Sequence, residues 1–364
     1  MSMLSALRQV VCDSRPMRPQ ICLRCRQVQQ GAGRVRGQGW VADWMNKRAN
    51  GMNRQQRTVT TADGLALAVY VHARPDTPAH VPTVVLAHDW GLTHRSWDAV
   101  VALLATSGLR IITLDQRGHG ASALGLNRKT LGDLTIDHFG RDLHAVIRAL
   151  VPPSSPVVLV GHSLGGMTAM AYIGQHLKEA RTRVAGAVLV STAAVDVRLG
   201  QSGRSRLAKR LMGGGPDLYQ PPVRGNNHRE ALFGDNPDPT AVAAVNAQVS
   251  AADPAVLRAS YRAFCQADVR QAFELLMDVP VSILTGAKDT VTPPTRSRAM
   301  TIPLTAARFA ALRGAGHELP YEAPARIVDE LRWVLITARD LMRARASRRI
   351  GENGRAQSPP SESP

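Results

Sequence analysis

Short, fully apolar runs recur along the middle of this chain, separated by stretches with helical spacing, and this alternation restricts the fold more than any other feature. The runs are Thr83–Ala87, Arg110–Leu114, Val157–Val160, Val184–Val190, Val281–Thr285 and Arg308–Leu312. Each is too short for a buried helix and has no polar face, which is the signature of strands covered on both sides. Between them, Trp97, Val100, Val101 and Leu104 share one helical face, as do Leu143, Ile147 and Leu150. A last helix from Ala325 to about Arg345 places Ile327, Leu331, Val334 and Leu335 on one stripe. Strands alternating with helices predict a parallel sheet sandwiched between helical layers. Upstream, Val59–Thr61 and Leu65–Val71 flank Asp63-Gly64, a two-residue turn pair that predicts a hairpin.

The rhythm fails between residues 196 and 277. No strand is predicted there, and two helical segments, Thr240–Ala251 and Pro254–Leu276, follow a stretch rich in Gly and Arg. An insertion of this kind between two sheet strands reads as a helical cap over the sheet's edge. The expected organisation is a basic leader over residues 1–57 and a core over 58–195 and 278–345. The cap occupies 196–277, and a Ser/Pro-rich disordered tail occupies 346–364.

The formal net charge of +17 would suggest nucleic acid if it were spread over the domain. Residues 1–57 hold 11 Lys/Arg against 2 acidic residues, residues 337–364 hold 6 against 3, and the middle carries only +5. The basicity therefore belongs to the tails. No specific nucleic-acid partner is expected, only weak attraction of the tails to anionic surfaces such as a membrane. Of the four cysteines, Cys12, Cys22 and Cys25 lie in the leader, without the histidine or fourth cysteine that a zinc site there needs. Nothing suggests a disulfide framework, and no apolar stretch reaches transmembrane length, so a cytoplasmic location is expected. Translation starting at Met45 or Met52 would account for the leader.

The chemistry concentrates at strand ends. Gly161-His162-Ser163-Leu164-Gly165 follows the run Val157–Val160 directly and precedes a helix-compatible segment. That is the strand–turn–helix setting of a nucleophile elbow, whose glycines relieve clashes at a sharp turn. A serine hydroxyl needs a base, and the base needs an orienting carboxylate. His317 follows Arg308–Leu312 after Gly314-Ala315-Gly316, and Asp289 follows Val281–Thr285. Ser163, Asp289 and His317 are the expected catalytic set, with Asp196 a lesser alternative to Asp289. His88, His119, His162 and His228 are read as structural histidines. For the oxyanion, the backbone N–H groups of Leu164 and Trp90 are the expected donors.

With these residues go His88-Asp89-Trp90-Gly91, Asp115-Gln116-Arg117-Gly118-His119-Gly120 and Gly286–Asp289. The set resembles the α/β-hydrolase superfamily over about residues 58–336, nearest to bacterial serine esterases and lysophospholipase-like or monoacylglycerol-lipase-like members. The resemblance implies an α/β-hydrolase fold, with an eight-stranded, mostly parallel sheet whose first strands are antiparallel. It also implies no cofactor, and it does not settle the substrate. No metal is expected, and the first expectation is an esterase acting on a small-molecule ester, whose apolar acyl part the cap residues Val242, Val245, Val249, Leu257, Tyr261, Phe264 and Phe273 would hold. The same triad would serve C–C bond or amide hydrolysis or cofactor-free perhydrolysis, and a non-catalytic binding protein is the remaining alternative. One residue departs from the pattern: Asp89 stands where the family has glycine, and its side chain is expected to point away from the oxyanion site. Asp115 and Arg117 are read as tying loops together.

Overall fold

The computed structural model describes residues 53–122, 132–195 and 232–356. Its framework is one eight-stranded sheet: β1 (Asn53–Thr60), β2 (Ala66–Ala73), β3 (Thr83–Ala87), β4 (Arg110–Leu114), β5 (Val157–His162), β6 (Val184–Val190), β7 (Val281–Gly286) and β8 (Arg308–Leu312). The strand order is β1-β2-β4-β3-β5-β6-β7-β8. β1 pairs antiparallel with β2 and β2 with β4, and every other pairing is parallel. This is the expected architecture, and the apolar runs of the sequence are its central strands.

Alternation along each strand builds two cores. Val84 and Leu86 face one side of β3, where they join Val158, Val160, Val188 and Val190. Trp97, α1 (Asp98–Leu104) and Leu331 and Val334 of the last helix cover that side. Val85 and Ala87 face the other, with Leu159, Leu189 and Ile283, beneath α2 (Ile136–Leu150) and α3 (Leu164–Gln175). Helix α4 (Leu177–Arg183) then leads into β6.

Two boundaries differ from expectation. β1 begins at Asn53, inside the stretch assigned to the leader, and residues 53–58 are all exposed. What holds them is the backbone ladder from Asn53↔Ala73 to Thr60↔Ala66, and such a ladder leaves no apolar trace in the sequence. At the other end the last helix runs from Pro324 to Ala356, past the predicted stop near Arg345. Alanine and arginine, both strong helix formers, dominate residues 343–349 and outweigh the signal of Gly351. The remaining leader and residues 357–364 lie outside the described residues.

Of the cap, residues 196–231 lie outside the described residues, and with them Asp196 and His228. The rest supplies α5 (Pro239–Ala251) and α6 (Pro254–Cys265), each opened by an aspartate cap and a proline in the first turn. The predicted second helix breaks after Cys265. A bridge between Val195 and Asp268 precedes a 3-10 turn and α7 (Phe273–Leu276). Val242, Val245, Val249 and Leu257 bury themselves against Leu92 and Phe233, while Phe264 joins the main core. These side chains, read as an acyl site, are occupied in packing the cap onto the domain.

Arg117 shows why the Asp115–Gly120 loop is structural. Its guanidinium is 1% exposed and grips Asp142 of α2 with two bonds of 2.6 and 2.5 Å, and Asp63 of the hairpin turn at 3.0 Å. Asp115 accepts from the backbone N–H of His94 (2.8 Å) and Ala121 (3.0 Å). Replacing Arg117 with Ala would strand the Asp142 carboxylate in the core. We expect Arg117→Ala to lower unfolding stability by about 3 kcal/mol in urea titration, with an effect well below that for Arg74→Ala, whose pair with Asp76 is exposed.

Candidate active site

The site forms where β3, β5, β7 and β8 all end on the same edge of the parallel sheet. At the end of β5 the chain turns so sharply that Ser163 adopts φ 52° and ψ −113°, left-handed for a non-glycine residue. Its neighbours allow nothing larger than hydrogen. A Cβ on Gly161 would lie 2.4 Å from the Gly165 carbonyl oxygen, and one on Gly165 would lie 2.0 Å from that of Ala87. The strain at Ser163 is held by its own backbone: its N–H donates to Val190 O (2.9 Å), and its carbonyl accepts from Gly166 N and Thr192 Oγ1 (2.7 Å). Helix α3 starts at the next residue and aims its N-terminus at the turn.

The loop after β8 brings His317 to this turn. Its glycines fit against backbone: a Cβ on Gly316 would meet Phe233 at 2.4 Å, and one on Gly286 would meet Gly316 O at 1.9 Å. The small residues before His317 thus serve close approach to β7 and to the segment before α5, more than to the elbow. Glu322 ties the same pieces together, accepting from Gly234 N (2.7 Å) and Gly316 N (3.0 Å). His317 Nδ1 lies 2.8 Å from Asp289 Oδ2. Asp289 is fixed in turn by the backbone N–H of Val291 (2.9 Å) and Thr292 (2.8 Å), and by the Thr292 hydroxyl on Oδ2 (2.8 Å). With Asp289 Oδ2 as its partner, Nδ1 is the ring nitrogen that donates, and Nε2 faces the elbow.

Asp89 occupies that space. Its side chain points inward, against the sequence expectation. Oδ2 lies 3.2 Å from His317 Nε2, and Oδ1 accepts from Leu164 N–H at 3.3 Å. The backbone at this position is not left-handed. Among described non-glycine residues only Ser163 and Ser191 have positive φ, and the left-handed residue of the β3 loop is Gly91. Asp89 is therefore accommodated without strain, and its buried charge finds the polar partners of the site. The neighbouring Trp90 turns its indole toward the cap, donating to Leu257 O at 2.8 Å and meeting Tyr261 edge-on. It walls the site on the cap side.

Electrostatics follow from this crowding. Burial alone would pull the His317 imidazole down, but the charge of Asp289 and hydrogen bonds with Asp289 and Asp89 hold it well above the ordinary histidine range. Burial opposes ionisation of Asp89 as well, and its bond to His317 outweighs it and keeps the carboxyl low. Burial, and then the charge of Asp89, pushes buried Glu318 up to about 8, so that it holds its proton at neutral pH. His88 is pulled down to about 3 by burial and braces the loop, with Nδ1 on Asp89 O (2.7 Å) and Nε2 accepting from Gln116 N (2.9 Å). His119 reaches Arg117 O, and His162 reaches His317 O (2.9 Å) through Nε2. Thr292, Glu318 and Glu322 had no sequence signal as site residues, being single polar residues in loops. The signal for Asp89 was its departure from glycine.

Comparison with known proteins agrees with this fold. The model of the alpha/beta hydrolase family matches residues 84–330, more than half of the chain. The chain belongs to the alpha/beta hydrolase family. "Probable oxidoreductase EphD" of Mycobacterium tuberculosis is 38% identical over 117 residues, 32% of this chain but only 18% of that longer protein. "Bifunctional esterase/perhydrolase DCH" of Acinetobacter calcoaceticus is 28% identical over 249 residues, 65% of this chain and 83% of its own. Among solved structures, a thermophilic esterase from Thermogutta terrifontis superposes with a TM-score of 0.59 at 24% identity, covering 78% of this alpha/beta hydrolase and 99% of itself. The esterase RhEst1 from a Rhodococcus species gives 0.60 at 24% identity over 76% and 97%. At such identities the structural likeness is one of fold. No helix among the described residues is long and apolar enough to cross a membrane.

The carboxylate of Asp89 adds to that of Asp289 in holding His317 above the ordinary histidine range. In Asp89→Asn the charge goes and the shape stays, so the imidazole is expected to titrate at lower pH than in wild type. Histidine NMR across a pH series reads this directly, and an unmoved His317 would contradict the contact described here.

Proposed function

We propose that this alpha/beta hydrolase is a serine hydrolase of carboxylic esters, with Ser163 as nucleophile, His317 as base and Asp289 as orienter. The observation that carries the reading is the 2.8 Å Asp289–His317 pair set against a serine held at φ 52° on a strand–helix turn. Strain of this kind is kept where a strand–helix turn must present a nucleophile, and on this reading the serine works with an imidazole that Asp289 orients. In the reaction Ser163 Oγ attacks the ester carbonyl carbon while its proton passes to His317 Nε2. The tetrahedral oxyanion is held by the Leu164 N–H and, on this reading, that of Trp90. Collapse expels the alcohol, which takes the proton from His317. Water then attacks the acyl-enzyme through the same base, releasing the acid and restoring Ser163.

Asp89 must leave both Leu164 N–H and His317 Nε2 before this sequence starts, so the wild-type site rests in a self-blocked arrangement. The name of the Acinetobacter relative supports a second fate for the same intermediate. Attack of hydrogen peroxide on the acyl-enzyme in place of water would give a peracid and free Ser163. A small ester with a modest apolar acyl group is the substrate class that fits, since the cap's apolar side chains are largely spent on packing.

Hydrolysis of p-nitrophenyl esters of graded acyl length by wild type and Ser163→Ala tests the reading. Activity is expected to fall in Ser163→Ala by at least about 1000-fold, and equal rates in the two proteins would overturn the nucleophile assignment. Asp89→Gly frees the Leu164 donor, and we expect kcat/KM at neutral pH to rise by about 100-fold. Its pH profile should move too. A rate that needs neutral His317 climbs as pH passes that group's pKa, so lowering the pKa shifts the rising limb to lower pH.

A further inference from the structure

The inward turn of Asp89 does more than fill the oxyanion site. It completes a buried group of three side chains, Asp89, His162 and His317, whose ligand-type atoms all lie within 4.8 Å of one another. The three are at most 6% exposed. Two nitrogens and one carboxylate oxygen are the ligand set of many three-residue zinc sites, and one ligand position is left for water.

The outer contacts of the group are those a metal site needs. His317 Nδ1 donates to Asp289 Oδ2 at 2.8 Å, which orients the ring, and a bound cation would displace the Nε2 proton and take its lone pair. His162 Nε2 lies 2.9 Å from the carbonyl oxygen of His317. A carbonyl only accepts, so Nε2 carries the hydrogen and Nδ1 the lone pair. That Nδ1 is buried and has no hydrogen-bond partner, an unsatisfied acceptor in the interior. Asp89 Oδ1 is steadied by Leu164 N–H. The separation of His317 Nε2 and Asp89 Oδ2, 3.2 Å, is that of two ligands sharing one tetrahedral ion, about 3.3 Å at ordinary zinc bond lengths. A small inward shift of His162 would complete the set.

We propose that Asp89, His162 and His317 bind one divalent transition-metal cation, with zinc the best match to two imidazoles and one carboxylate. The ion takes the lone pair of His317 Nε2, so the bound form cannot accept the Ser163 proton, and ester hydrolysis is reversibly shut off. The binding itself does not depend on the esterase reading, because it is measured without turnover.

The test uses the full chain, freed of metal with a chelator and titrated with zinc chloride in competition with a chromogenic zinc indicator. One zinc per chain is expected for wild type and for Ser163→Ala. Asp89→Asn and His162→Gln should each weaken that binding by more than about 100-fold, since even loss of an outer contact costs 10- to 100-fold. Absence of a stoichiometric site in wild type would overturn the proposal, as would binding that is unchanged in the variants. Far-UV circular dichroism checks their folding. If His162→Gln, which sits in the elbow, does not fold, Asp89→Asn keeps the side chain's shape and decides alone. Inhibition of ester hydrolysis by zinc, relieved in Asp89→Gly, would connect the site to activity.

Discussion

Everything at the functional edge of this protein depends on how closely three backbone segments meet beneath Ser163. The elbow can form only because Gly165 leaves the Ala87 carbonyl room and Gly161 leaves room for Gly165 itself. This fixes the end of β3 against the start of α3, and so places Asp89 and Leu164 on either side of the same small volume. A second backbone stack, Gly286 on Gly316 and Gly316 on Phe233, delivers His317 to that volume from the other side. Polar chemistry is then set by backbone proximity. Side-chain positions follow from where hydrogen atoms replace methyl groups, and tight packing transmits any change there to the reacting atoms.

Within this frame Asp89 introduces a conflict and resolves it locally. A carboxylate in an apolar sheet edge is costly, and it is stabilised by the very donors that the ester reaction would use. Its partners are an amide at a helix N-terminus and an imidazole. The arrangement resembles a product acid lying in its own site, except that it is covalently part of the chain and never diffuses away. A substrate therefore competes with a group at very high effective concentration. The price is reactivity at rest, and the return is sensitivity of the site to anything that draws the carboxylate elsewhere.

Much of this was legible in the residues. The central strands are short and wholly apolar, so period and length identified them, and the GxSxG turn after Val157–Val160 fixed the position of the elbow. Asp289 and His317 followed from strand ends and chain order. What stayed hidden has physical causes. Residues Asn53–Arg57 are held by backbone pairing, which has no side-chain signature. The break after Cys265 and the packing of the cap's valines depend on surfaces far away in sequence. The direction of Asp89 was misread because sequence weighs the cost of burying a charge, while the compensation comes from Leu164 and His317, 75 and 228 residues away.

The polar edge strand has a bearing on how the protein behaves in bulk. β1 ends the sheet with eight regularly extended residues, and such an edge offers unpaired backbone groups to any other chain. Here the offer is guarded. Arg54 and Arg57 put positive charge along it, Arg54 resting over the Tyr70 ring, and glutamines and asparagine supply the remainder up to Arg57. Two copies approaching edge to edge would bring like charges into register at close range. Among the described residues this segment contributes almost nothing to the core, and its consequence lies between molecules: neutralising those two arginines would invite sheet extension from copy to copy.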